Sequence, residues 1–226
     1  MTGFAGFDVS SYPGDTVVDW LKANTNLKWC GFYLAKAPSH SDTGWMAKRA
    51  RLVAGGWGIA PIYVGQQTIP PGSRNSSGPQ GKIDGADAAF LATRAGFPAG
   101  SCLFLDLENG KPFTAAQKAY VAAWCAEVSS HHFAPGVYCS HTFAADVHLA
   151  APAARIWVFK VSTTAAHPVP GPHYPDNHPA ASGYVGAFAW QLGQNCQITV
   201  PPAPGGKLTV DLDTASWADP GAPGTP

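Results

Sequence analysis

Leu103-Phe-Leu-Asp106-Leu-Glu108-Asn109 decides the reading of the chain. Its short apolar run is consistent with a buried strand. Its C-terminal end carries two acids, although Asp and Glu disfavour strand interiors. A residue type that opposes local propensity often has a functional reason. Asp106 and Glu108 are two positions apart, so on a strand both side chains leave the same face. At about 3.3 Å of rise per residue their Cβ atoms lie roughly 7 Å apart. Two carboxylates so placed repel, which raises the pKa of one and makes it a proton donor near neutral pH. Glycosidic cleavage needs such a donor and a second carboxylate to stabilise positive charge or activate water. The same pair could instead cap a helix or form salt bridges.

Outward from this segment, short apolar runs alternate with helix-like stretches, the pattern of βα units. Strands are expected at 6–9, 29–34, 59–64, 102–107, 135–139 and 156–160. Helices are expected at 15–23, capped by Asp15, at 45–54, at 83–95, from a Thr114 cap to about Ser130, and at 143–149. Residues 66–81, rich in Pro, Gly, Ser and Asn, read as a loop. After the sixth strand the rhythm breaks. Residues 167–182 form a Pro/His loop, and strands at 186–191 and 208–212 are too close for a regular helix between them, so they pair as a hairpin. Eight strands, with helices confined to the first two thirds, make a modified (β/α) TIM-like barrel the leading α/β architecture. A doubly wound sheet is the alternative, but neither GxGxxG nor GxxxxGK[ST] is present to support it. The domain is expected over 1–218, with 219–226 as a Pro/Gly-rich tail or linker stub.

The 226-residue chain is 46% hydrophobic and only 12% charged, with a formal net charge of +0. There is no basic patch for nucleic acid and no polybasic stretch for a membrane surface. No apolar run approaches the length of a membrane span. The start, Met1-Thr-Gly-Phe-Ala-Gly-Phe7, lacks the charged and apolar regions of a secretory signal as written. Five dispersed cysteines, 30, 102, 125, 139 and 196, give neither a disulfide framework nor zinc-ligand spacing, and one disulfide stays open. Cys102 and Cys139 read as buried thiols. Eight Trp can serve as core or as stacking surfaces for sugar rings.

In a barrel of this kind the site lies at the C-terminal ends of the strands. Asp8 closes the first expected strand, Asp106 and Glu108 the fourth, Asp211 and Asp213 the last. Only 14 of 226 residues are acidic, so five at three strand ends exceeds expectation. Alone, Asp8 could simply cap a turn.

These same residues carry a resemblance. Gly6-Phe-Asp8-Val-Ser-Ser-Tyr12, Phe104-Leu-Asp106-Leu-Glu108, Trp190-Gln191 and Val210-Asp211-Leu-Asp213 occur in the order seen in glycoside hydrolase family 25 lysozymes. Gly58-Ile-Ala-Pro-Ile-Tyr63-Val-Gly-Gln-Gln67 and Ala134-Pro-Gly-Val-Tyr138-Cys-Ser140 are closer to a related group, the glycoside hydrolase-like DUF1906 or Rv2525c-like domains. The resemblance covers about 3–217. It implies a β/α barrel with an acidic groove and a substrate such as peptidoglycan or another N-acetylated β-1,4 glycan. Glu108 would be the general acid. Asp106 would stabilise developing positive charge or orient the N-acetyl group. Asp8 and Asp211 would flank and tune these two. Tyr63, Tyr138, Trp190 and Gln191 would line sugar subsites. Apart from the resemblance, Gln66-Gln67 at a strand end could hydrogen-bond sugar hydroxyls or equally start the loop, and Asp213, facing one side with Asp211, is a further candidate for substrate binding. The second strand departs from the lysozyme pattern, keeping only Lys36-Ala37 of an Ile-Lys-Ala-Thr-Glu-like stretch. The third ends Tyr-Val-Gly-Gln in place of Tyr-His-Phe.

Other constellations are weaker. His131, His132, His167, His173 and His178 lack convergent ligand spacing, so no metal or other cofactor is expected. Ser140-His141 lacks a GxSxG elbow, and a strand-buried Cys139 would have a raised pKa. The expected protein is a monomeric, lysozyme-like hydrolase that acts on a polysaccharide, outside the cell or at its envelope. It would bind neither nucleic acid nor membrane. The alternatives are a non-catalytic glycan-binding domain and a cell-wall-targeting domain with a degenerate hydrolase site.

Overall fold

The computed structural model describes residues 2–67, 75–108 and 111–224. Asn109 of the deciding segment and residues 68–74 of the expected loop lie outside them. Six strands run in parallel, each bonded to the next: β1 (Phe4–Asp8), β2 (Trp29–Tyr33), β3 (Gly58–Val64), β4 (Cys102–Asp106), β5 (Ala134–Ser140) and β6 (Arg155–Phe159). The two-residue β7 (His167–Pro168) lies outside this succession, on the distal part of β8 (Ala187–Thr199). β8 pairs in parallel with β6, and β9 (Lys207–Ala215) runs antiparallel to both β8 and β1. The result is a closed eight-stranded barrel with one extra strand. The expected hairpin is present, and β8 extends well beyond the expected 186–191.

Five helices, α1 (Asp15–Asn24), α2 (Arg49–Ala54), α3 (Gly78–Arg94), α4 (Ala115–Ser130) and α5 (Ala144–Ala150), follow β1 to β5 in turn. Thr114 caps α4 with a full capping box, its hydroxyl accepting from the Gln117 N–H and Gln117 returning a bond to the Thr114 N–H. Asp15 is the first helical residue of α1 rather than its cap. The cap position is Gly14, and Asp15 instead accepts from the Tyr12 hydroxyl and Lys48 Nζ, at 2.8 and 2.9 Å. α2 is shorter than expected because Trp45 leaves the helical pattern to donate its indole N–H to the Val9 carbonyl at 3.1 Å. α3 begins five residues early. Ser77 caps it and Pro79 occupies its first turn, where a missing N–H costs nothing.

Two apolar layers result. One fills the space between barrel and helices. The other fills the barrel with Trp29, Ile62, Phe104, Trp157, Phe188 and small neighbours. Glycines make room for these rings: a Cβ on Gly6 would lie 2.2 Å from the Trp29 ring, and one on Gly136 would lie 2.4 Å from Phe104. Trp157 sits centrally, edge-on to Trp29, Phe104 and Tyr138 at centroid distances of 5.4–5.6 Å.

Within the expected Pro/Gly-rich tail, residues 219–224 are fastened beneath the barrel. Asp219 accepts the Ile59 N–H at 2.9 Å, and Gly221 bonds both Ile59 and Cys102. Arg155 donates to the carbonyls of Pro220, Ala222 and Gly224, its guanidinium packed over both the Phe188 and Trp217 rings. Backbone polar groups that would otherwise be buried unpaired at the strand starts are thereby satisfied. All five cysteines are buried free thiols.

Candidate active site

At the opposite end, where β1 to β6 finish, a pocket of about 330 Å³ opens to solvent. Asp8, Asp106, Glu108 and Asp211 line it, together with Tyr33, Ile62, Phe104, Tyr138, Trp157 and Gln191. The register explains the convergence. Asp8 on β1 lies directly opposite Asp211 on β9, and Asp106 on β4 lies beside Tyr138 on β5. A groove of about 520 Å³ adjoins the pocket, sharing Asp8, Tyr33, Glu108 and Asp211 and adding Val9, Ser10, Asn195, Thr209 and Val210. Among the described residues, no Lys or Arg lines either space.

The acids occupy distinct surroundings. Asp8 is nearly buried and accepts from the Tyr33 hydroxyl at 2.5 Å. Burial, then the charge of Asp211, pushes its carboxyl up to about 7, against the opposing pull of the Tyr33 bond. Asp211 accepts from Gln191 Nε2 and the Asn195 N–H, both at 2.7 Å. Burial and the charge of Glu108 still raise it to about 6. Asn195 sits at a register irregularity within β8 and has a left-handed backbone with φ of 56°, a conformation Asn tolerates. Asp106 is buried, and its Oδ1 has no hydrogen-bond partner among the described residues. Burial, followed by the charges of Glu108, Asp8 and Asp211, holds it well above the usual carboxylate range. Glu108 is exposed at the pocket mouth, and even there the surrounding protein raises its carboxyl. Four acids with unequal environments can therefore divide between proton donor and charge-stabilising roles.

Two of the expected binding residues line the pocket: Tyr138 and Gln191, hydrogen-bonded to one another. Four do not. Tyr63 points away from the barrel interior, its hydroxyl on Asp87 at 3.0 Å and its ring near Trp124 of α4. Gln66 is buried against Asp84. Trp190 packs on the outer layer and donates its indole N–H to the Lys160 carbonyl. Asp213 is on the inward face but fully buried, accepting from the Trp157 indole N–H at 3.2 Å. Burial, then the charges of Asp8 and Asp211, raises it well above its ordinary value.

Tyr33, Trp157 and Asn195 are the site residues that sequence reasoning missed. Alternation along β2, with Trp29 and Gly31 facing the barrel interior, is the signal that would have placed Tyr33 there. The discarded Ser140-His141 pair is held apart, with Ser140 on Thr142 and His141 on the Phe159 carbonyl. Among the described residues, no group of three or more His, Cys, Asp or Glu is arranged to hold a metal ion.

The family model for the Rv2525c-like, glycoside hydrolase-like domain matches residues 19–215. The chain belongs to that family. A search of curated proteins finds no match. Among solved structures, the Tat-secreted protein Rv2525c of Mycobacterium tuberculosis is similar at a TM-score of 0.62 and 14% identity, over 96% of each chain. The bacterial lysozyme of Streptomyces coelicolor is similar at 0.60 and 16% identity, covering 95% of this chain and 93% of that one. The modular Cpl-1 endolysin, solved with a peptidoglycan analogue, is similar at 0.56 and 12% identity, covering 96% of this chain and 55% of that one. At these identities the likeness is one of fold, a barrel shared with lysozymes and endolysins.

Proposed function

We propose that this Rv2525c-like domain is a glycosidase acting on peptidoglycan or a similar N-acetylated β-1,4 glycan. The observation that carries the reading is the meeting of Asp8, Asp106 and Asp211, from three strands, with Glu108 just past β4, in one pocket with aromatic walls. Glu108, at the mouth, is the general acid that delivers a proton to the glycosidic oxygen, and the rise of its carboxyl through desolvation favours that role. Asp106 lines the pocket, and its carboxyl is suited to an acetamido N–H or to positive charge developing at the anomeric carbon. Asp8 and Asp211 adjust the charge around these two. Tyr138 and Gln191 bound the sugar, and Trp157 offers an apolar face beneath it. The fold shared with endolysins and a bacterial lysozyme supports the substrate class, and the site of action is then the cell envelope.

The test is digestion of purified peptidoglycan by wild type and Glu108→Gln, with products identified by mass. Glu108→Gln is expected to lower release of reducing ends by roughly 10²- to 10⁴-fold, the usual contribution of a general acid, with the thermal transition unchanged. Equal activity in the two proteins would overturn the assignment.

A further inference from the structure

Glu108 lies two residues beyond Asp106, the last residue of β4, where the strand ladder no longer holds the chain. A proton donor there needs another device to fix it. Just past β3, the carboxamide of Gln67 supplies two bonds. Its Oε1 accepts the Glu108 N–H at 3.0 Å and its Nε2 donates to the Asp106 carbonyl at 2.9 Å. The side chain thus spans Leu107 and continues the β3–β4 pairing by one more rung. Gln67 is itself held by its neighbour. The buried Gln66 donates through Nε2 to Asp84 Oδ2 at 2.9 Å and through its backbone N–H to the Tyr120 hydroxyl at 3.2 Å, while that hydroxyl donates to the same Asp84 oxygen at 2.7 Å. Helices α3 and α4 are in this way tied to the backbone that aims the donor.

We infer that Gln67 is a positioning residue for Glu108, acting through the backbone on either side of Leu107 rather than by touching substrate. The inference rests on the glycosidase reading of the site. Glutamine suits the task chemically: its terminal amide both donates and accepts, asparagine is one methylene shorter, and an ionised glutamate has no donor. Displacing a reacting group by about 1 Å can cost on the order of 100-fold in rate.

The decisive comparison is wild type against Gln67→Met, which keeps the length and loses both bonds. Circular dichroism and thermal melting establish the fold, and Gln67→Asn takes its place if Gln67→Met does not fold. On peptidoglycan, kcat is expected to fall roughly 10- to 100-fold with KM nearly unchanged. On a dinitrophenyl glycoside, whose leaving group needs no proton, the loss should shrink to less than about threefold. Equal losses on the two substrates would mean a general structural role and overturn the inference. A carbon-13 NMR titration of the Glu108 carboxyl reads the same point without turnover. Its midpoint is expected to drop towards that of an ordinary glutamate in the variant, and an unchanged midpoint overturns the inference. If wild type cleaves neither substrate, the glycosidase reading fails, and the titration still decides whether Gln67 fixes Glu108.

Discussion

Asp8 and Asp211 are registered partners across the antiparallel β1–β9 ladder, two carboxylates held opposite one another where the barrel closes. Direct opposition of like charges destabilises a sheet, and here it lies in a pocket that no Lys or Arg lines among the described residues.

Burial of both carboxyls, with the charges of neighbouring acids second, gives the fold a pH dependence of known sign. The folded protein raises Asp8 from 3.8 to about 7 and Asp211 from 3.8 to about 6. Between those limits the folded state binds more protons than the unfolded state, so stability falls as pH rises. The stability these groups contribute is fully present below pH 3.8 and lost as pH climbs through about 6 and then about 7. Asp8→Asn is expected to be more stable than wild type at pH 8 by on the order of a few kcal/mol, with the difference vanishing near pH 4. Urea denaturation at the two pH values measures it. A wild-type stability that rises between pH 5 and 8, together with a destabilised Asp8→Asn at pH 8, would contradict the assignment.

Tyr33→Phe removes the 2.5 Å bond that holds down the Asp8 carboxyl. Hydrogen bonds to charged groups contribute about 1.5–3 kcal/mol. Activity at neutral pH should drop roughly tenfold or more, and the acidic limb of the pH–rate profile should move to higher pH. A profile that keeps its shape and position would show that the bond does not tune the site.

Trp190→Ala separates the two faces of β8. Because the indole packs outside the barrel and bonds the Lys160 carbonyl, the variant should lose on the order of 1–3 kcal/mol of stability. Its glycan affinity should remain within about twofold of wild type. Calorimetric binding of a chitooligosaccharide makes the comparison, and a large loss of affinity without loss of stability would return Trp190 to the site.

Arg155→Met keeps an aliphatic chain against Phe188 and Trp217 but abandons three carbonyls in residues 220–224. A cost of about 3 kcal/mol is expected from the lost charge-assisted bonds, together with faster proteolysis of the C-terminal segment. Thermal denaturation and limited proteolysis with mass detection test both.

Much of the barrel was legible because strand parity and capping chemistry are local. The apolar runs marked the strands, Thr114 and Gln117 spelled the α4 cap, and the acids stood at three strand ends. The errors were of two kinds. Trp190 and Gln191 are consecutive on one strand and cannot both face the pocket. Likewise Val64 and Ile62 share the inward face with Asp106 and Phe104 in the β3–β4 register, which turns Tyr63 outward. Those two placements could have been excluded from alternation. The others could not. The depth of Asp213, the pairing of Gln66 with Asp84 and the latching of 219–224 by Arg155 depend on contacts between residues far apart in sequence, which no window reveals. The early start of α3 was masked by Pro79, which signals a loop and a first helical turn equally well.

Trp157 joins the wall of the pocket to the deepest of its carboxyls through a single indole N–H. An indole so placed is a built-in optical probe. Its emission responds to the field of the neighbouring acids, so the difference spectrum between wild type and Trp157→Phe can follow protonation and glycan occupancy without any added label.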